Sequence, residues 1–209
     1  MQPETQKILE LAKRIKAIAQ RGLTYSTDEY NIERYTELET ISHELFEVMT
    51  DTPWELIRNF YLNKKEYPTP KTDIRGVVFN EKNEILLVCE RDDNKWSLPG
   101  GWADIGYSPK EIAVKEVEEE TGFIVVPTRL LAVLDKKHHP HPPQLEYAYK
   151  LFIQCTLTGG KIREAHDITD VAFFPQDSIP SLSQIRVTAS QIDLMFAFLH
   201  NPGKEVVFD

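Results

Sequence analysis

Three glutamates, Glu116, Glu119 and Glu120, crowd the end of the segment Leu98 to Phe123, LPGGWADIGYSPKEIAVKEVEEETGF. On a helix they fall within an arc of about 100°, beside an apolar face made of Ala113, Val114 and Val117. Like charges three and four residues apart repel, and acids in a last turn oppose the negative end of the helix dipole. A helix shaped for stability alone avoids this arrangement. A divalent cation resolves the conflict, because carboxylate oxygens suit Mg2+ or Mn2+ and leave coordination positions for water and phosphate oxygens. Such an ion would polarise a phosphoryl group and supply a nucleophilic water. The competing reading is a solvated, glutamate-rich helix face.

The surrounding residues favour a built site. Gly100 and Gly101 let the backbone bend and approach a ligand closely, while Ser108, Pro109 and Glu111 supply N-cap, first-turn proline and capping-box glutamate. A helix of about three turns is therefore expected from Pro109 to a stop at Gly122. Trp102, directly after the two glycines, is a candidate for stacking on a base; its alternative is a core residue. Arg75, in the strand-like run TDIRGVVF, is either a phosphate clamp or a strand-edge cation facing solvent. The loop Asp135 to Pro143, DKKHHPHPP, gathers lysines and histidines, and His139 in it is a candidate for proton transfer. Solvated histidines are the plainer reading there.

These residues must be positioned by two dissimilar parts. Residues 4 to about 62 read as three helices without strand signal: one with Ile8, Leu11, Ala12, Ile15 and Ile18 ending before Gly22, one opening at Ser26 and Glu29 with the stripe Tyr35, Leu38, Ile41, Leu45 and Val48, and one starting at Thr52 and Pro53. Asn63 to Pro70 fits a linker. Beyond it the period changes to two. Strands are expected at Asp73 to Phe79, Glu84 to Cys89, Leu130 to Leu134, Glu146 to Leu157 and Val171 to Phe174, with turns at Asn80 to Asn83 and at Gly159 and Gly160. A helix follows over Thr188 to Leu199. The expected division is a helical domain at 1–66 and an α+β domain at 67–209. Three short amphipathic helices carry more apolar surface than so small a unit can cover, which points to packing on the main domain, to a homodimer contact, or to both.

A net charge of -9 disfavours a stable complex with nucleic acid or with anionic lipid. The sequence offers neither a signal-peptide core nor an apolar run long enough to span a membrane, so a cytoplasmic protein is expected. Cys89 and Cys155 lie in apolar strand-like runs without metal spacing and read as small buried residues.

The segment from Gly101 to Phe123 resembles the Nudix box, G-x5-E-x7-R-E-U-x-E-E-x-G-U, in which U is a bulky apolar residue. Glu116, Val117, Glu119, Glu120, Gly122 and Phe123 stand on its positions. Tyr107 replaces the first glutamate of the box and Lys115 its arginine, so the ion pair the family forms there is not expected; Lys115 would pair with Glu111 or Glu119, and Tyr107 would hold the loop by packing. The resemblance implies an α/β/α sandwich with mixed sheet over roughly 71–200, and Glu116, Glu119 and Glu120 as metal-binding catalytic residues. The helical extension and the form GGWADIGYSP are similar to a bacterial branch of ADP-ribose and CDP-choline pyrophosphatases. The activity implied is hydrolysis of a nucleoside diphosphate derivative to a nucleoside monophosphate, with RNA-end hydrolysis or a catalytically silent nucleotide sensor as alternatives.

Overall fold

The computed structural model describes residues 3–50, 67–104, 106–163 and 165–209. The helix expected from Thr52 lies outside them, as do residues 63–66 of the expected linker. The chain divides into two compact units, one of Met1–Pro70 with Pro143–Glu146 and one of Lys71–Pro142 with Tyr147–Asp209.

In the first unit α1 (Pro3–Tyr25) packs against α2 (Glu29–Thr50). Gly22 does not end α1. It lies inside the helix because the Tyr35 ring packs on it, at a place where a Cβ would come within 2.4 Å of that ring. The start of α2 also lies later than expected: Asp28, not Ser26, caps it, accepting from the Asn31 N–H at 3.0 Å. The faces that meet are Leu9, Ala12 and Ala19 on α1 and Ser42, His43 and Phe46 on α2, all buried. Lys16 is buried with them and reaches Glu39 at 2.7 Å. Half of the stripe residues that sequence periodicity picks out face outward, with Ile8, Leu11, Ile18, Ile41 and Val48 exposed.

The second unit is built on a five-stranded sheet of order β4-β1-β6-β5-β8. Its strands are β1 (Lys71–Val78), β4 (Gly100–Trp102), β5 (Phe123–Asp135), β6 (Ala148–Gly160) and β8 (Val207–Phe208). The sheet is mixed, since β1 runs parallel to β6 while β4 and β5 run antiparallel to their neighbours β1 and β6. A second sheet joins β3 (Trp96–Ser97), β2 (Ile85–Glu90) and β7 (Ile168–Phe174). Helix α3 (Pro109–Thr121) buries Ile112, Ala113 and Val117 in one cluster with Ile74, Val78 and Ile153. Helix α4 (Ala189–His200), capped by Thr188 and Gln191, places Ile192, Met195 and Phe196 in a separate cluster with Val77, Leu134 and Phe152. Two helices on opposite faces of a mixed sheet make the α/β/α sandwich.

The turn Asn80–Asn83 forms through the Asn80 side chain, which accepts from the N–H groups of Lys82 and Glu84. Gly159 and Gly160, by contrast, belong to β6 and pair with Ile124 and Phe123. Gly160, at φ +85°, lets the strand pass where a Cβ would lie 2.3 Å from the Gly122 carbonyl oxygen. Both cysteines are buried and unbridged.

Candidate functional site

Ser108 and Glu111 start α3 with a reciprocal capping box, and Gly122 ends it in the left-handed conformation. The acidic last turn is relieved from outside the helix: Arg163, beyond β6, donates to the Glu118 carbonyl at 2.9 Å. This fixed helix lies along β1, so close that a Cβ on Gly76 would come within 2.5 Å of Val117.

Gly100 and Gly101 bring the preceding loop onto the same strand. Gly100 pairs with Arg75 and Gly101 with Ile74. At Gly100 (φ +143°) a Cβ would fall 2.0 Å from the Ile74 carbonyl oxygen, and at Gly101 it would fall 3.1 Å from Glu116 Oε2. The glycines therefore admit both the strand pairing and the approach of a carboxylate. The Gly100 N–H donates to Glu120 Oε2 at 2.9 Å. Burial pushes the Glu120 carboxyl up to about 8, against the pull of Arg75 and the Gly100 N–H, with Glu90 and Glu116 adding to the rise. Glu116 is raised as well, first by burial, with Lys115 opposing and Glu119 reinforcing.

Lys115 links loop and helix. Its ammonium lies 3.2 Å from Asp104, 3.2 Å from Glu119 and 3.7 Å from Glu116. The tether lost at Tyr107 is thus remade at Asp104, three residues earlier, which the box pattern could not reveal. Glu119 is mostly exposed and lines an open cleft of about 570 Å3 with Tyr107, Lys110, Lys115 and Arg163. Among the described residues no three acidic, histidine or cysteine side chains are already gathered as a metal cluster. The donor set nevertheless fits a divalent ion: Glu116 and Glu120 are hard-oxygen groups, both destabilised as anions by burial and by neighbouring acids, Glu119 and Asp104 for the first and Glu90 and Glu116 for the second, beside a backbone made open by two glycines.

Arg75 is buried in β1, not at a solvent-facing edge. Its Nε donates to Asp73 at 2.7 Å and its Nη1 to the Leu98 carbonyl at 2.9 Å. Asp73 also accepts from the buried Lys150, and its carboxyl is held down to about 2 because Arg75 and Lys150 outweigh the cost of burial. Trp102 is nearly half exposed in β4, with the Lys71 ammonium 5.0 Å from its ring centroid. His139 contacts Asp209, Nε2 to Oδ2 at 3.1 Å, and no described hydrogen bond or ion pair joins it to α3. In the same loop His141 is structural: Nδ1 donates to the Gln184 carbonyl at 2.7 Å, Nε2 meets the Gln191 amide at 3.0 Å, and burial lowers its pKa to about 4. The structure thus brings Glu116, Glu120, Gly100, Gly101 and Arg75 together, with Glu119 at the margin. Sequence reasoning missed Asp104 and also Glu90, a buried acid whose only signal was a charge ending an apolar strand.

Known proteins resemble this chain in sequence and fold. Residues 6–61 match a family described as a UDP-X-like, N-terminal oligomerisation domain, and residues 69–195 match the NUDIX domain. A Bacillus subtilis (strain 168) protein named "Putative ADP-ribose pyrophosphatase YjhB" is 49% identical over 203 residues, which is 97% of each chain. A crystal structure of a UDP-X diphosphatase superposes with TM-score 0.64 at 33% identity, over 98% of this chain and 99% of that one. A Streptococcus suis ADP-ribose pyrophosphatase gives TM-score 0.61 at 40% identity, over 68% of this chain and all of that one. With the box glutamates standing on a capped helix against the mixed sheet, the chain belongs to the Nudix family and is a Nudix pyrophosphohydrolase.

Proposed function

We propose that the protein hydrolyses the pyrophosphate bond of a nucleoside diphosphate derivative of the ADP-ribose or CDP-choline type, in a reaction dependent on Mg2+ or Mn2+. The observation that carries this reading is the pair Glu116 and Glu120, two partly buried carboxylates with raised pKa values beside the Gly100–Gly101 backbone. Relatives named for ADP-ribose and for a UDP-linked moiety narrow the substrate to a nucleoside diphosphate joined to a second group.

In this reading Glu116, Glu119 and Glu120 hold the metal. When bound, the ion withdraws charge from a phosphoryl oxygen and lowers the pKa of a water. In the overall reaction water adds to one phosphorus, the bridging P–O bond breaks with its electron pair going to the departing phosphate oxygen, and the protons of the water pass to solvent or to the phosphate products. The products are a nucleoside monophosphate and the phosphorylated second group. The Gly100 N–H fixes the direction of Glu120, and Lys115 keeps Glu119 and the Asp104 loop in place. Gly100 and Gly101 leave room for the pyrophosphate, and Trp102 offers a ring for the base. Arg75, its donors committed to Asp73 and Leu98, acts as a charge beneath the glutamates; a phosphate-clamping role would require it to leave them. His139 as proton carrier requires the 135–143 loop to move toward α3. A domain division at 1–66 and 67–209 completes the proposal.

Release of a nucleoside monophosphate from a panel of nucleoside diphosphate sugars, alcohols and capped RNA oligomers, with Mg2+ and with Mn2+, tests the proposal. Turnover of the small substrates only with metal is expected. Exclusive action on RNA, or turnover unchanged by chelator, overturns it.

A further inference from the structure

Glu90 ends β2 after five buried apolar residues, Ile85–Cys89, and is itself 5% exposed. A carboxylate in that position is costly, and an apolar residue would serve the strand better. Two other segments are committed to holding it. Ser97 Oγ donates to Oε1 at 2.6 Å, and Arg186 Nε lies 3.0 Å from the same oxygen. Arg186 is fixed in turn by Asp92 at 2.8 Å and by the Ser183 hydroxyl at 3.1 Å. Both clamps fall on one oxygen, and no described residue donates to Oε2.

The segment that holds this carboxylate also holds a glutamate of α3. Ser97, which holds Glu90, and Gly100, which holds Glu120, are three residues apart, at most about 10 Å of extended chain. The carbonyl of Leu98 between them accepts from Arg75 Nη1, so the two anchors share one strip of backbone held from β1. The electrostatics agree. Burial raises the Glu90 carboxyl, with Ser97, Arg186 and Arg75 opposing, and the Glu90 charge contributes to the rise at Glu120.

We propose that Glu90 is a further acidic member of the metal site: Ser97 and Arg186 clamp one of its oxygens so that the other accepts from water bound to the divalent ion held by Glu116 and Glu120. This rests on the metal-dependent reading above. A merely structural Glu90 would tie the segment bearing Arg186 to β2 and leave metal binding untouched.

Glu90→Gln tests the difference, because an amide oxygen still accepts from Ser97 and lies beside Arg186 while the charge is gone. The direct readout is Mn2+ affinity of the full chain, by electron paramagnetic resonance or calorimetry without substrate. The expected result is a Kd raised about tenfold or more and a comparable fall in kcat, with KM changed less than about threefold. Ser97→Ala, which loosens the clamp and keeps the charge, should raise the Mn2+ Kd a few fold, and it decides the matter if Glu90→Gln fails to fold. A Mn2+ Kd within twofold of wild type in folded Glu90→Gln, even with a lowered melting temperature, overturns the inference. Glu120→Gln separates the two levels: if it abolishes Mn2+ binding while Glu90→Gln does not, only the role of Glu90 fails, and if neither changes Mn2+ binding, the metal reading of α3 fails with it.

Discussion

At the scale of single residues, charge is placed where stability alone would not put it. Glu120 is a partly buried carboxyl whose ionisation is opposed first by burial and then by Glu90 and Glu116, with Arg75 and one backbone N–H as its support. Glu120→Gln and Glu119→Gln should each lower metal-dependent turnover by roughly 100-fold or more, since each removes a proposed ligand. Without metal and above pH 8, where the Glu120 carboxyl ionises, Glu120→Gln should melt at the same temperature as wild type or higher, because the repulsion is gone. Near wild-type turnover at saturating Mg2+ would refute the assignment. His141 gives a second, independent signature. Its folded pKa of about 4 lies below the unfolded value, so its contribution to stability is present above pH 6.5 and is lost as the pH falls toward 4. The upper bound is roughly 3 kcal/mol. His43, also lowered to about 4 by burial, adds to the same slope. Denaturant titrations between pH 7 and 4 should therefore show a shallower loss in His141→Gln than in wild type. Equal slopes would mean that folding leaves the His141 pKa near its unfolded value.

At the scale of elements, α3 is held at both ends and tied to its loop in the middle. The tie, Lys115 to Asp104, is largely exposed, so its worth in stability is below about 1 kcal/mol. Its worth in positioning should be larger. Lys115→Met is expected to leave the melting temperature nearly unchanged while lowering kcat several fold, and an unchanged kcat would show that the loop needs no tether. The same helix shows what sequence can reveal. Its caps, its glycines and its glutamates are local signals, readable from neighbours three or four residues apart, and the structure repeats them. Asp104 and Arg163 are partners that only folding brings to the helix. In α1 and α2 the apolar stripes divide: Ala12 is buried with Leu9, Lys16 and Phe46 between the helices, while Ile8, Leu11, Ile18, Ile41 and Val48 stay exposed, as expected of a unit too small to cover its apolar surface. Gly22 lies within α1 although its sequence position predicts a stop, since a glycine that accepts a ring looks in sequence like one that ends a helix. The short strands β3, β4 and β8 carry too few residues for any period to register.

At the scale of the whole molecule, the exposed stripe of the first unit becomes a statement about assembly. Ile8, Leu11 and Ile18 on α1 follow a spacing close to 3.5, the repeat of helices that pack along a seam, and all three are exposed. Ile41 and Val48 on α2, seven residues apart, are exposed as well. Large apolar side chains gathered in this way mark an interaction surface. The match of residues 6–61 to an oligomerisation domain supports a second copy of the chain as the partner, and twofold pairing is the commonest way to cover one such face with another. The protein is accordingly expected to be a homodimer joined through its N-terminal helices. Leu11→Glu with Ile18→Glu places two charges in the seam without touching the buried Leu9, Ala12 and Phe46 cluster, so the helix pair should survive. Light scattering at micromolar concentration should report a dimer for wild type and a monomer for the double variant, with helical content retained by circular dichroism. A wild-type monomer, or a double variant that dimerises equally well, would show that the exposed stripe serves another contact.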